Sequence, residues 1–228
     1  MAHKRVLLFG ATGALGIVIS QTYLNHGWEV TPVVRVDSGL PNEIVLPFTS
    51  ASPFEGSTFN TVVFAQGANL NGTIQTTSDE ALAALFEANV GFIVKKVKFL
   101  LREHAIAKNG RIVIISSIAE LFTRKEKLAY TISKAAVGGL VRSLAVDLGK
   151  SHGILVNGIL PGVVDSPMTR NNLVQEQFDH LVESTPIGRL VTPTDVANSV
   201  YLLGSELNTG ISGQSILVDN AHSITYLP

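Results

Sequence analysis

Short apolar, β-branched runs alternate along the chain with longer stretches whose apolar positions recur at helical spacing. The runs at Arg5–Phe9, Glu29–Val34, Glu43–Phe48, Thr61–Ala65, Arg111–Ser116, Leu155–Leu160 and Ser215–Val218 are predicted strands. Most are apolar throughout, the pattern of strands covered on both faces. Helices are predicted at Ala14–His26, Ser78–Val90, Gly91–Ala107, Tyr130–Lys150, Asn171–Glu183 and Thr194–Gly204, the last started by Thr192 or Thr194 with Asp195. Such alternation predicts an α/β fold of βαβ units: a doubly wound parallel sheet of about seven strands with helices on both faces. No linker, charge run or internal repeat divides the chain, so residues 1–228 read as a single domain. Pro32 lies inside a predicted strand and removes a ladder donor, so a local irregularity is expected there.

Composition narrows the function. Hydrophobic residues make up 46% and charged residues 15%, enough apolar material for a real core, which excludes a disordered chain. A net charge of −1 gives no general electrostatic reason to bind nucleic acid or an anionic membrane. The apolar run after Met1–Arg5 is too short for a signal peptide, and no stretch is long enough to span a bilayer. A cytoplasmic protein with no nucleic-acid or membrane partner is the expectation. The absence of Cys excludes disulfides, thiolate metal sites and cysteine nucleophiles, and the six His lack metal-ligand spacing, so no metal is expected.

Two motifs carry chemistry. Gly10-Ala-Thr12-Gly13-Ala14-Leu15-Gly16 follows the first strand and opens the first helix. Small residues there let a phosphate meet backbone N–H groups at a helix N-terminus, where the dipole favours it. The placement points to a dinucleotide. After the second strand, the position that would carry an acid for the ribose of NAD(H) is Val34, followed by Arg35. A guanidinium suits a 2′-phosphate, which leans the reading to NADP(H) over NAD(H). The alternative is a solvated Arg35 with Asp37 meeting the ribose. The second motif, Tyr130-Thr-Ile-Ser-Lys134, puts a phenol and an ammonium on one helix face, where the cation would favour the phenolate.

Ser117 lies thirteen residues before Tyr130, just after the Arg111–Ser116 strand, and Asn89-Val90-Gly91 lies in the helical stretch upstream. With the glycine spacing, this set resembles the short-chain dehydrogenase/reductase superfamily, which implies a Rossmann-type fold. At the glycine turn the chain is closer to the extended and atypical members, because classical members have glycine where Ala14 stands. The resemblance implies a catalytic set of Asn89, Ser117, Tyr130 and Lys134, with Asn89 helping to organise a water near the lysine. It implies cofactor contacts from Ala65, Gln66 and Gly67, from Tyr130 and Lys134, and from Pro161, Gly162, Val164 and Ser166. It also implies a small carbonyl or alcohol substrate, a specificity segment around 165–190, and a homodimer or homotetramer.

The resemblance has departures. The family's Asn-Asn-Ala-Gly reads Ala65-Gln66-Gly67-Ala68, its acid after strand three is missing from Pro47–Ser50, and its Asp-Gly-Gly reads Asp219-Asn220-Ala221. Two other functions compete with a general NADP(H)-dependent carbonyl reductase. One is a non-catalytic NADP(H) sensor. The other is a 3-ketoacyl-carrier-protein reductase whose Arg124, Lys125 and Lys127 meet an acidic carrier, although such a cluster is more often a solvated loop.

Overall fold

The structure, a computed structural model, describes residues 4–46, 54 and 58–225. The apolar runs form strands β1 (Arg5–Phe9), β2 (Glu29–Val34), β3 (Ile44–Val45), β4 (Phe59–Phe64), β5 (Ile106–Ile115), β6 (Leu155–Pro161) and β7 (Ser215–Val218). They make one seven-stranded sheet in the order β3-β2-β1-β4-β5-β6-β7, with every pairing parallel. The order reverses between β1 and β4, and a crevice at the carboxyl ends of the strands belongs there. The helices are α1 (Ala14–Asn25), α2 (Asp79–Phe86), α3 (Phe92–Arg102), α4 (Leu128–His152), α5 (Pro167–Asn172), α6 (Gln175–Glu183) and α7 (Pro193–Gly204).

The unbroken hydrophobicity of the strands is explained by two cores. Leu7, Phe9, Val62, Phe64, Ile112 and Ile114 face Ile93, Val97 and Leu100 of α3 and Val137 and Val141 of α4. Their neighbours Val6, Leu8, Val63, Val113 and Ile115 face Ile19 and Tyr23 of α1 and Val196, Val200 and Leu203 of α7. Successive side chains point to opposite faces, so both faces must be apolar.

Some expectations are corrected. The β1–β2 register runs unbroken through Pro32, so the expected irregularity is absent. Val33 turns its carbonyl to β1, accepting from the Gly10 N–H at 3.3 Å; Pro32 therefore turns its missing donor the other way, before the β3 pairing begins at Val33. The helix expected to reach Ala107 stops at Arg102, and Ile106 already pairs with Phe59 in the sheet. The helix expected at Asn171–Glu183 is two, α5 and α6, separated by extended Leu173 and Val174. The expected end of the third strand at Phe48 and the Pro47–Ser50 position both lie outside the described residues. Among the described residues no helix is long and apolar enough to cross a membrane, and no cluster could hold a metal ion.

Candidate active site

The glycine turn packs against the loop leaving β4. Gly10 has φ +80, and a Cβ there would lie 2.7 Å from the Gln66 nitrogen, so both the backbone conformation and the close approach demand glycine. A Cβ on Gly16 would collide with the Gly10 carbonyl oxygen. Gly13 is the N-cap of α1 and supplies no side-chain cap, which leaves the first-turn N–H groups at Ala14, Leu15 and Gly16 without one. Thr12 is exposed on the turn. Both amide atoms of Gln66 are buried without a partner. Orphaned donors at a helix N-terminus and an unfilled buried amide beside it fit a dinucleotide diphosphate.

Helix α4 brings the phenol and the ammonium together. Lys134 is 4% exposed, and its Nζ lies 5.7 Å from the centroid of the Tyr130 ring. That Nζ donates to the Ile115 carbonyl at the end of β5, at 3.3 Å. Ser117, two residues on, N-caps the 3₁₀ turn Ile118–Glu120, its Oγ accepting from the Ala119 N–H at 3.1 Å. Its hydroxyl hydrogen is left to donate toward the Tyr130 phenol.

Electrostatics differ from the sequence expectation in one respect. Burial pushes the Tyr130 phenol above its ordinary value, against the lowering pull of the Ser117 hydroxyl and the Arg124 charge. Desolvation therefore outweighs both pulls, and the phenol lies above its ordinary value rather than drawn down as the pairing with Lys134 led us to expect. Burial also brings Lys134 down to about 8, with Glu120 acting in the opposite direction.

Asn89 is 2% exposed and lies in a π-helical turn, Glu87–Gly91, that joins α2 to α3. Its amide grips the loop after β4: Oδ1 accepts from the Ala68 N–H at 2.8 Å, and Nδ2 donates to the Ala68 carbonyl at 3.0 Å. Nδ2 also donates to Ser133 Oγ at 2.9 Å. The side chain is thus fully engaged in holding Ala65–Ala68 against α4, and a Cβ on Gly67 would sit 3.6 Å from Lys134 Nζ.

The remaining candidates lie at or just beyond the carboxyl ends of the strands. The Ala65 N–H donates to the Phe9 carbonyl at 2.9 Å, tying β4's exit to β1. Pro161 ends β6 opposite Val218, and the Gly162 N–H donates to the Val218 carbonyl at 3.0 Å. The Val164 carbonyl accepts from Thr169 Oγ1 at 2.6 Å. Ser166 caps α5, its Oγ accepting from the Thr169 N–H at 3.3 Å. Arg35 is exposed just beyond β2 with no hydrogen bond or ion pair to any described residue. Asp37, its rival for the ribose, accepts from the Gly39 N–H at 3.0 Å within its own loop.

Residues 56–221 match the family model described as Enoyl-(Acyl carrier protein) reductase. The chain is also 30% identical over 242 residues to a 3-oxoacyl-[acyl-carrier-protein] reductase of Chlamydia muridarum, covering 96% of this chain and 97% of that protein. It belongs to the short-chain dehydrogenase/reductase family. Members are oxidoreductases, and over 111 residues this short-chain family member is 38% identical to an L-rhamnose 1-dehydrogenase (NAD(P)(+)) of Sphingomonas sp.. That stretch is 48% of this chain and 43% of the dehydrogenase. A short-chain oxidoreductase structure from Burkholderia thailandensis shares the fold, with TM-score 0.86 and 23% identity over 99% of this chain and 94% of that one.

Sequence reasoning missed one group in this short-chain fold. Lys127 was expected on a solvated basic loop, yet it is only 8% exposed. Its Nζ donates to Asn69 Oδ1 at 2.8 Å and Asn71 Oδ1 at 2.5 Å. The two asparagines were visible as latecomers to the family's Asn-Asn-Ala-Gly, but nothing in the spacing links them to a lysine more than fifty residues on.

Proposed function

We infer that the chain is an NADP(H)-dependent carbonyl reductase that works by hydride transfer, with Tyr130 as acid/base. The observation that carries this reading is the gathering of Lys134, Tyr130 and Ser117 at the carboxyl end of the sheet, beside the uncapped start of α1. Bound reduced nicotinamide would supply the hydride. The protein's task is the oxygen. Tyr130, kept protonated by burial, delivers a proton to the carbonyl oxygen, and Ser117 donates a hydrogen bond to the same atom as charge develops. The Lys134 ammonium stabilises the phenolate left behind. Asn89 acts as a positioning residue through its grip on Ala68. The start of α1 with Thr12, together with Ala65, Gln66, Gly67, Pro161, Gly162, Val164 and Ser166, would hold the dinucleotide, and free Arg35 favours a 2′-phosphate.

Tyr130→Phe should keep dinucleotide affinity and lose turnover by on the order of 10²–10⁴-fold; wild-type turnover in that variant would refute the assignment. Arg35→Ala should weaken NADPH binding and leave NADH binding unchanged, and an equal loss for both would overturn the cofactor preference. The acyl-carrier reading draws on the 3-oxoacyl-[acyl-carrier-protein] reductases among the relatives. With Lys127 buried, only Arg124 and Lys125 of the basic trio remain exposed for a carrier. Comparing 3-oxoacyl-carrier substrates with free carbonyl compounds separates the two. For assembly, the open hollow lined by Leu82, Ala83, Phe86 and Ile132 is the face we assign to a homodimer or homotetramer, to be tested by light scattering.

A further inference from the structure

Lys127 plays no part in the reading above. It stands at the N-cap of α4, and its ammonium bonds two neutral amide oxygens, Asn69 Oδ1 and Asn71 Oδ1. No carboxylate among the described residues pairs with it. A buried ammonium without a counter-charge carries a desolvation penalty that an apolar residue of similar length would avoid. Burial lowers its pKa, and Arg124 adds to that.

The position of this cation suggests what the penalty supports. Lys127 Nζ lies 5.5 Å from the centroid of the Tyr130 ring, and Lys134 Nζ lies 5.7 Å from the same centroid. The ring carries an ammonium from the helix turn before it and one from the turn after it. The clasp is firm on its other side too. The Gly72 N–H donates to the Glu126 carbonyl at 2.9 Å, and the Leu128 N–H donates to the Gly72 carbonyl at 3.3 Å. Backbone and side chain therefore hold Lys127 in place.

We propose that Lys127 is a second cation for Tyr130, a positioning residue fixed by Asn69 and Asn71 so that its field favours the phenolate. The proposal rests on Tyr130 being the acid/base. The groups around residue 130 are the Lys127 and Lys134 ammoniums beside its ring, Ser117 at the end of β5 and Arg124 on the preceding loop, which act on the phenol itself, and Glu120, whose carboxylate acts on Lys134. Lys127 is the member of this set whose charge is held by neutral partners alone.

The test is tyrosinate absorbance of the dinucleotide-free protein followed with pH, the Tyr130→Phe variant being subtracted to isolate residue 130. Lys127→Gln should move the Tyr130 midpoint upward by up to about one pH unit, less than a full unit charge would give because burial has already lowered Lys127 itself. Lys127→Arg should restore it. Asn69→Asp, which neutralises the ammonium without removing it, should shift the midpoint in the same direction and serves if Lys127→Gln does not fold. In alcohol oxidation, the pH limb of kcat should follow the same shift, whereas a purely structural clasp would change KM and kcat without moving that limb. An unmoved midpoint in Lys127→Gln or in Asn69→Asp, or a failure of Lys127→Arg to restore it, overturns the proposal. Retained turnover in Tyr130→Phe would instead break the acid/base reading, and the absorbance result would stand apart from it.

Discussion

Replacing Lys134 by methionine should make the dinucleotide-free protein more stable while abolishing its chemistry. The lysine is 4% exposed, and burial takes its ammonium from 10.5 in the open chain to about 8 in the fold. At neutral pH that difference amounts to about 3 kcal/mol of destabilisation, at about 1.4 kcal/mol per pH unit. Methionine keeps the unbranched stem and removes the charge, but it gives up the 3.3 Å bond to the Ile115 carbonyl, worth about 1 kcal/mol. The net expectation at pH 7 is a gain of about 2 kcal/mol, or about 4–8 °C in Tm for a chain of this size. The sign with pH follows from proton counting. Between the folded and open-chain pKa the unfolded state binds more protons, so wild-type stability rises with pH there. Urea unfolding of both proteins from pH 7 to 10 should therefore show their gap closing as pH passes 8. A Lys134→Met variant less stable than wild type at pH 7, or a gap that does not change with pH, would refute the reasoning.

Three more expectations follow from the same structure. Ala221 sits at φ +65 beside Asn220 at φ +55, so Ala221→Gly should stabilise by about 1 kcal/mol once the added chain entropy is subtracted, read by thermal unfolding. Asp195 completes a capping box with Thr192 on α7, so Asp195→Ala should cost about 1 kcal/mol at pH 7. The Arg189 bond holds the Asp195 carboxyl down to about 2, so that deficit should fade as acid protonates the wild-type group toward that pH. Gly16→Ala, with its Cβ driven onto the Gly10 carbonyl, should abolish dinucleotide binding, as read by quenching of Trp28 or by reduced-nicotinamide fluorescence.

Short apolar runs were the most legible part of the chain, on the buried strands β1 and β2 and on the half-exposed edge strand β7 alike. β1, β2 and β7 run from the residue to the residue their apolar runs suggested. Helix ends were legible where glycine closes them. α1 gives way at Gly27 and α4 at Gly153, both in the left-handed region. α3 closes with the hydrogen-bond motif of α1: the Ala105 N–H reaches the Leu100 carbonyl, and the His104 N–H reaches that of Leu101. There the left-handed residue is His104, at φ +51, so no glycine marked the stop and Ile106 and Ala107 were read as more helix. In the site, Tyr130, Lys134 and Ser117 were legible because one helix turn and one strand end fix them. The Lys127 clasp was not, because it joins segments brought together only by the sheet order.

The loop after β4 is held by its main chain more than by its side chains. Asn89 takes both the N–H and the carbonyl of Ala68, and the neighbours of Lys127 take both from Gly72. Mutational drift at residues 65, 66 and 68 can therefore rewrite the amino acids without redrawing the curve they trace. Ala65-Gln66-Gly67-Ala68 is then a change of lettering on a shape imposed from outside, and selection would be felt at the grips rather than at what they hold.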